Sequence, residues 1–297
     1  MFYDLNVSWK PDLAEYQNLR NTIYFLAELG YDVIALNHTL SGKLPADLSC
    51  PIPSVLPFPV PEKVQILRRC TLILSDPSQN HRLSILASNY DILALRPANE
   101  KSLQQACQSP DCDIISLDLT SRLEYYIKMK MVAPAIERGI KFEICYSPGI
   151  STQNAGARRN LISNATQLIR ATRGGRGLIL SSEALKPAGC RAPSDVINLA
   201  AVWGLGQEKG HEAVSKLARS VVVSAHLKRN SYRGVIDVVH GGEKPPAVAA
   251  EAKVKAGQKR SAGDESDSRN AKTAPVLSKR EQKRQKKALS SEAQIKK

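Results

Sequence analysis

The sequence alternates short apolar runs with longer segments of helical periodicity, and this alternation restricts the fold more than any other feature. Most of the runs are almost continuously hydrophobic, as are strands that are buried on both faces of a parallel sheet. Eight such repeats over about 240 residues predict an α/β fold, a TIM-like (β/α) barrel, with an open doubly wound sheet as the alternative. The eight candidate strands are 3–7, 32–37, 70–75, 91–95, 113–119, 141–146, 176–182 and 219–224.

The segments between these runs carry apolar residues three or four positions apart, which is typical of helices with one buried face. Pro134 interrupts one of them, so we expect that helix to kink or break near Ala133. Six prolines in 38–63 argue against a helix there and predict an extended loop. The predicted helices cover 12–29, 78–90, 99–109, 121–139 and 152–175.

The composition changes after residue 240. Residues 241–297 contain 15 Lys and Arg but only 7 Asp and Glu, and they lose the apolar periodicity. Such a segment buries too little apolar surface to offset its chain entropy, so we expect a barrel domain over 1–240 and a disordered basic tail over 241–297. One basic cluster in the tail is typical of a nuclear import signal or an RNA-contacting tail, with a merely solubilising tail as the alternative. It consists of Lys279, Arg280, Lys283, Arg284, Lys286 and Lys287.

The charge and cysteine content narrow the choice of partner and compartment. A net charge of +14 favours a polyanionic partner such as nucleic acid. The six cysteines include no CxxC pair, which fits buried thiols in a reducing compartment. No apolar stretch approaches the ~20 residues that span a bilayer, and the N-terminus lacks the pattern of a signal peptide. We therefore expect a soluble intracellular protein without a membrane partner.

Catalytic groups of (β/α) barrels collect at the C-terminal ends of the strands. Of five histidines only His38 falls at such an end, and no HxH, HExxH or GxSxG pattern occurs. The acids Asp4, Asp118 and Glu143 are expected to pair with backbone groups or arginines inside the barrel, and no cofactor is expected. The alternative is a stand-alone metal-dependent phosphoesterase. Its candidate site residues are His38, Asp76 and Glu183.

Five arginines concentrate within nineteen residues of the segment 156–184. They are Arg158, Arg159, Arg170, Arg173 and Arg176. Guanidinium groups match phosphate oxygens with two parallel hydrogen bonds, so this segment predicts an RNA-binding surface, with an acidic protein partner as the alternative. The same helix is expected to turn Leu161, Ile162, Leu168 and Ile169 to the core and to end in a left-handed cap at Gly174 and Gly175.

Four segments carry a resemblance to a known family. They are "FYDLNV", "FEICYSPGI", "RRNLISNATQLIRATRGGRGLILSSEA" and "RAPSDVINLAAVWGLGQEKGHEAVSKLARSVV". In this order they resemble the barrel-shaped 30-kilodalton protein subunit shared by nuclear ribonuclease P and ribonuclease MRP of eukaryotes, over nearly all of 1–224. With the five arginines above we count Arg191, which opens the last segment, as a candidate RNA-binding residue.

The resemblance implies a function. Ribonuclease P removes the 5′ leader of precursor tRNA and ribonuclease MRP processes precursor rRNA, and in these particles the RNA carries the metal-dependent hydrolysis. The chain is then expected to have no catalytic activity of its own and to stabilise and position the two particle RNAs. It would work beside other protein subunits, including a small subunit with an RNA-recognition-motif-like fold, and would meet precursor tRNA indirectly. Its expected location is the nucleus, and within it the nucleolus.

The same family is similar to the barrels of the polymerase and histidinol phosphatase metallohydrolases, whose first strand ends in D-x-H-x-H. Here the corresponding residues are Asp4, Asn6 and Ser8, so both histidines are replaced. Asparagine and serine are poor ligands for a zinc or manganese site. The resemblance therefore implies a metal site that has been lost.

Overall fold

The computed structural model describes residues 1–10, 13–42, 44–75 and 82–231, and within these ranges seven parallel strands form one sheet in chain order. The strands are β1 (Tyr3–Ser8), β2 (Val33–Leu40), β3 (Gln65–Leu74), β4 (Ile92–Pro97), β5 (Ile114–Ser116), β6 (Lys141–Cys145) and β7 (Leu178–Ser181). The predicted tail over 241–297, with its import candidate, lies outside the described residues.

The segment after β7 returns to β1 and nearly closes the sheet. The backbone N–H of Glu183 donates to the carbonyl of Asn6 at 2.7 Å, and that of Ser8 donates to the carbonyl of Ala184 at 3.2 Å. A doubly wound sheet would leave β1 and β7 unconnected. The barrel prediction is therefore confirmed, and the open sheet is wrong.

Helices cover the outside of the barrel in the described ranges. They are α1 (Leu13–Glu28), α2 (Leu83–Asn89), α3 (Glu100–Gln108), α4 (Met129–Glu137), α5 (Ser147–Ser151), α6 (Ala155–Ala171), α7 (Pro193–Val202), α8 (Gln207–Val214) and α9 (Lys216–Asn230). None of these helices is long and apolar enough to cross a membrane.

The predicted eighth strand, 219–224, is wrong because this stretch lies in the middle of α9. Ala218, Val221 and Ala225 are buried at helical spacing, whereas Val223 is 47% exposed. The buried face of α9 packs against Leu5, Leu67 and the other apolar residues inside the N-terminal end of the barrel. Packing of one helical face therefore outweighs the strand preference of consecutive valines.

Two predictions around α4 also need correction. Residues 121–128 were expected to be helical but form an irregular loop, and α4 begins only at Met129. Of the predicted kink or break near Ala133, the break is wrong, because the helix continues through Pro134 to Glu137. Burial of Val132 and Ala135 on both sides of the proline holds the helix together despite the missing hydrogen bond. Between β2 and β3 the described residues form neither helix nor strand, as the prolines indicate.

The barrel interior has an apolar layer and a polar layer. The apolar layer, beside α9, contains Tyr3, Leu5, Val33, Ala35, Leu67, Ile92, Ala94, Ile114 and Ile179. The polar layer lies toward the C-terminal ends of the strands. Its buried members include Asn6, Asn37, Arg69, Thr71, Ser116, Glu143 and Ser181. Because these polar groups are removed from water, they must form hydrogen bonds with one another. We call the end of the barrel at which they lie, the C-terminal end of the strands, the barrel mouth.

Asp4 fastens β1 to the segment that closes the barrel. Its Oδ1 accepts hydrogen bonds from the backbone N–H of Ser182 at 3.0 Å and of Asn6 at 3.2 Å. Its Oδ2 is buried without a partner among the described residues. Burial raises the pKa of Asp4 from 3.8 to about 6, against the effect of these hydrogen bonds. The folded chain therefore holds this proton to a higher pH than the unfolded chain does.

This difference predicts a pH-dependent stability. Above pH 6 the ionised Asp4 destabilises the fold, so the free energy of unfolding should fall as the pH rises from about 4 to 6. Asp4→Asn keeps the Oδ1 acceptor without the charge, and we expect it to raise the free energy of unfolding at pH 7.5 by up to about 3 kcal/mol. Urea unfolding at pH 5 and 7.5 measures both effects. A variant that is less stable than the parent at both pH values would contradict this account.

Candidate functional site

The centre of the polar layer is an ion pair between Arg69 and Glu143. The Nη1–Oε1 distance is 2.5 Å and the Nη2–Oε2 distance is 2.6 Å, and both side chains are 0% exposed. Arg69 Nη1 also donates to the carbonyl of Leu5 at 2.7 Å, and its Nε donates to Thr71 Oγ1 at 3.2 Å. Burial alone would raise the pKa of Glu143, but the adjacent guanidinium lowers it well below the usual range. Glu143 is therefore a carboxylate already neutralised by its neighbour.

Asn6 belongs to the same network. Its Nδ2 donates to Glu143 Oε2 at 3.2 Å, and its Oδ1 accepts from Asn37 Nδ2 at 2.8 Å. Asn37 Oδ1 in turn accepts from Thr71 Oγ1 at 2.7 Å. The donor and the acceptor of the Asn6 amide are therefore both used inside the protein.

A second ion pair lies closer to the opening. Arg96 Nη1 is 2.6 Å from Glu183 Oε1, and Arg96 Nη2 donates to Ser116 Oγ at 3.1 Å. The side chains of Arg96 and Glu183 are 16% and 21% exposed. Glu183 has a φ of +54°, which costs a non-glycine residue of order 1 kcal/mol. The backbone bond from Glu183 to β1 holds it in this conformation.

The donors at the mouth do not fit a catalytic metal ion. Glu143 and Glu183 each face an arginine, and the two guanidinium groups supply the positive charge that a cation would otherwise bring. Within the described part of the chain, no three His, Cys, Asp or Glu residues are placed to hold a metal ion together. We therefore derive no metal-dependent step from this barrel.

The phosphoesterase alternative finds no support at its candidate residues. His38 Nδ1 is 2.8 Å from the Tyr90 hydroxyl, and the His38 ring stands edge-on to Trp9. Burial lowers the pKa of His38, as expected for a histidine among aromatic rings. Glu183 forms an ion pair with Arg96, and Asp76 lies outside the described residues. His38 and Glu183 thus each have a partner within the protein.

The acids predicted to be structural do have structural partners. Asp4 accepts from two backbone N–H groups, and Glu143 pairs with Arg69. Asp118 accepts from the backbone N–H of Thr120 at 3.1 Å and from its hydroxyl at 2.7 Å. These contacts hold turns and strands in place.

Sequence reasoning missed Arg69, which is the most important residue of the mouth. The sequence predicts a strand at 70–75, whereas β3 begins at Gln65 and includes both Arg68 and Arg69. Arg68 is half-exposed and Arg69 fully buried, as alternation along a strand requires. One feature of the sequence could have predicted the ion pair: a basic residue, Arg69, and an acidic residue, Glu143, each lie within an apolar strand sequence. Two buried charges of opposite sign indicate a pair, because a buried charge needs a partner.

The arginine-rich segment forms α6 and the turn that follows it. Leu161, Leu168 and Ile169 are buried as predicted, but Ile162 is 41% exposed, so its predicted core position is wrong. Ile162 lies one turn after Arg158, on the face that α6 turns to solvent. The exposed arginines of this surface are Arg158, Arg159, Arg170, Arg173 and Arg176.

These arginines differ in how much of their hydrogen-bonding capacity is used. Within the part of the chain that the structure describes, the side chains of Arg158, Arg159, Arg170 and Arg176 make no hydrogen bond or ion pair. Arg191 differs, because its Nη1 donates to the carbonyls of Ala188 at 2.8 Å and Cys190 at 2.7 Å. The four free guanidinium groups are therefore available to an anion, whereas that of Arg191 already holds a turn.

The end of α6 is built by an arginine rather than by the expected glycines. Arg173 takes the first left-handed position, with a φ of +55°, and the N–H of Gly174 donates to the carbonyl of Ile169 at 2.9 Å. This is the hydrogen bond of a Schellman cap. Gly174 and Gly175 follow with further positive φ angles, so the left-handed turn is present but begins one residue earlier than predicted. The Arg173 Nε lies 3.0 Å from Met129 Sδ of α4.

The buried ion pair predicts a large difference between two neighbouring arginines. Arg69→Met leaves Glu143 buried and unpaired, and we expect it to lower the free energy of unfolding by about 3–5 kcal/mol. The control is Arg68→Met, which removes a half-exposed pair with Asp91 at 3.5 Å and should cost less than about 1 kcal/mol. Arg69→Met with Glu143→Leu should recover much of the stability. Equal destabilisation by the two single variants in urea unfolding would refute the assignment.

Comparison with known proteins places this barrel in a family. The model of the RNase P subunit p30 family matches residues 1–230. "Probable ribonuclease P protein subunit 3" of Schizosaccharomyces pombe is 42% identical over 240 residues, covering 81% of this chain and 100% of the relative. "Ribonuclease P protein subunit p30" of Mus musculus is 35% identical over 251 residues, covering 80% and 90%. "Ribonuclease P/MRP protein subunit RPP1" of Saccharomyces cerevisiae is 32% identical over 256 residues, covering 82% and 86%.

A solved structure has the same fold. A chain in a cryo-EM structure of archaeal ribonuclease P with mature tRNA superposes with a TM-score of 0.59 at 12% sequence identity, covering 81% of this chain and 99% of that chain. The match of the family model covers every described strand and helix through α9 and agrees with the resemblance carried by the sequence segments. The chain belongs to the ribonuclease P subunit p30 family.

Proposed function

We propose that this chain is an RNA-binding protein subunit of ribonuclease P and ribonuclease MRP, with no catalytic activity of its own. The observation that carries the proposal is the family match over residues 1–230 in a barrel whose mouth carboxylates, Glu143 and Glu183, are paired with arginines. The particle RNA would carry out precursor tRNA 5′-leader removal or precursor rRNA processing. The protein would stabilise and position that RNA.

The exposed arginines of α6 are the proposed RNA-binding surface. Arg159 and Arg170 lie on the same flank of the helix, about 16 Å apart along its axis. Guanidinium groups that have no partner among the described residues can each bind a phosphate oxygen, and the packed barrel fixes the spacing of the backbone positions that carry them. Phosphate contacts of this kind position RNA without reading its sequence. Arg191 remains a predicted RNA-binding residue. To bind a phosphate, its guanidinium would have to use its remaining N–H groups or give up its hydrogen bonds to two backbone carbonyls.

The proposed partners and location follow from the relatives and the predicted tail. The partners are the ribonuclease P RNA, the ribonuclease MRP RNA and other protein subunits of these particles, including the small subunit with an RNA-recognition-motif-like fold. Contact with precursor tRNA would be indirect. We propose a nuclear and nucleolar location, for which the basic cluster from Lys279 to Lys287 would serve as the import signal. The division into a barrel over 1–240 and a tail over 241–297 belongs to the same proposal.

Purification from cells tests the function directly. A tagged full chain expressed in its own organism should recover both the ribonuclease P RNA and the ribonuclease MRP RNA, measured by sequencing the bound RNA. Recovery of one RNA alone would limit the function to that particle. If neither RNA were enriched over a mock purification, the proposal would be wrong.

Charge reversal tests the surface. The double variant Arg158→Glu with Arg159→Glu places acids in the first turns of α6, where the helix dipole favours them, so folding should be preserved. We expect weaker binding to the ribonuclease P RNA, with the slope of log K against log salt reduced by about 0.7 to 0.9 for each phosphate that the variant no longer binds. The control is Arg219→Glu, an exposed arginine on α9. Equal effects of the double variant and the control would remove α6 from the RNA-binding surface.

A further inference from the structure

The irregular loop between β5 and α4, residues 117–128, follows one flank of α6. Two asparagines of α6 hold it in place. Asn164 Nδ2 donates to the carbonyls of Leu119 and Ser121, both at 2.9 Å, and Asn160 Nδ2 donates to the carbonyl of Thr120 at 3.0 Å. The 117–128 loop is therefore fixed to the helix that carries the free arginines, and the two form one continuous surface.

One aromatic side chain of this loop is turned outward. Tyr126 is 63% exposed, whereas its neighbour Ile127 is 1% exposed. Tyr125, on the other side, is half-buried and packs against the main hydrophobic core. With both neighbours anchored inward, the Tyr126 ring is held away from the core on a restrained backbone. A large aromatic side chain in this position has apolar area that nothing in the described structure covers.

Exposed basic residues follow Tyr126 closely in the chain. Lys128 and Lys130 are exposed within four residues of Tyr126 in the chain. Met129 between them is 42% exposed and is contacted by the Arg173 guanidinium at 3.0 Å. Glu124 is the only acid in residues 121–130, so the surface keeps an excess of positive charge. We call Tyr126, Lys128, Met129, Lys130 and Arg173 the tyrosine platform.

Arg173 joins the tyrosine platform to the α6 arginines. Its left-handed backbone, with a φ of +55°, directs the chain out of α6 while its side chain reaches across to α4. A glycine would form the same cap without the cost in free energy, but it would carry no guanidinium. The strained position thus places a positive charge three residues beyond Arg170, in contact with Met129, which is three residues from Tyr126 in the chain.

We infer that the tyrosine platform binds single-stranded RNA, with an unpaired base stacked on Tyr126 and the flanking phosphates held by Lys128, Lys130 and Arg173. An aromatic ring can stack on a base only if that base is free of its own helix, and aromatic rings interleaved with cations are the usual composition of such sites. A duplex would meet the lysines and arginines but would leave the ring unused. This inference rests on the proposed RNA-binding function and specifies the kind of RNA segment that this surface takes.

The test compares ring and charge variants of the full chain on two probes, an oligouridylate of about 12 nucleotides and an RNA duplex of about 12 base pairs. Tyr126→Leu should weaken binding of the oligouridylate by about 5- to 100-fold and leave its salt dependence unchanged, because no charge is removed. Tyr126→Phe should bind like the parent. The control is Tyr24→Leu, a half-buried tyrosine on α1 beneath Arg20.

The outcomes separate this inference from the proposed function. If Tyr126→Leu binds the oligouridylate as tightly as the parent, or if it weakens duplex and single strand equally, the tyrosine platform is not a single-strand site. If the double variant Arg158→Glu with Arg159→Glu binds RNA more weakly in the same experiment, the proposed RNA-binding function still holds. The exposed Tyr126 would then be assigned to contact with a protein partner. Selective weakening on the single strand, recovered by phenylalanine, supports the inference.

Discussion

Two opposite charges buried inside the barrel set the conditions for the rest of the structure. Arg69 and Glu143 come from β3 and β6, on different sides of the barrel, and both are removed from water. Desolvating such a pair costs several kcal/mol per ion, and only good geometry with further hydrogen bonds offsets that cost. Leu5, Thr71 and Asn6 provide those bonds, so the pair fixes the distance between strands that are not neighbours in the sheet.

The pairing of buried carboxylates with arginines also determines the charge at the barrel mouth. A barrel that places carboxylates at its mouth without cations would be suited to bind metal ions, but here each of Glu143 and Glu183 is matched by an arginine. Most polar groups of the interior thereby bond to one another, through ion pairs and amides. Within the described ranges, guanidinium groups that make no hydrogen bond or ion pair are found instead on the outside of the barrel, along α6. The consequence is a barrel whose mouth carboxylates are already paired, while exposed arginines lie on its outer flank.

Sequence periodicity predicts most of this architecture because strands buried on both faces are continuously apolar. It fails where tertiary packing decides between two local structures, as in α9, whose valines favour a strand while Ala218, Val221 and Ala225 fit a helical face against the barrel. It also fails for side chains whose environment depends on distant strands. The apolar strand sequences around Arg69 and Glu143 hint at two buried charges, but only the fold shows that these two residues lie opposite each other. The exposed arginines were predictable from composition and spacing, but the outward position of Tyr126 depends on the anchoring of its neighbours.

The closure between β1 and the segment after β7 has a consequence for how the chain folds during synthesis. Asp4 and Ser182, which form one of the closing hydrogen bonds, are 178 residues apart in sequence. At the usual ribosomal rate of about 5 to 20 residues per second, roughly 10 to 40 s separate the appearance of the two. For most of that interval β1 can pair with β2 but has no partner on its other edge. β1 is made before the other six strands of the sheet and is among the last to be completed, so its apolar edge must be kept from other chains in the meantime.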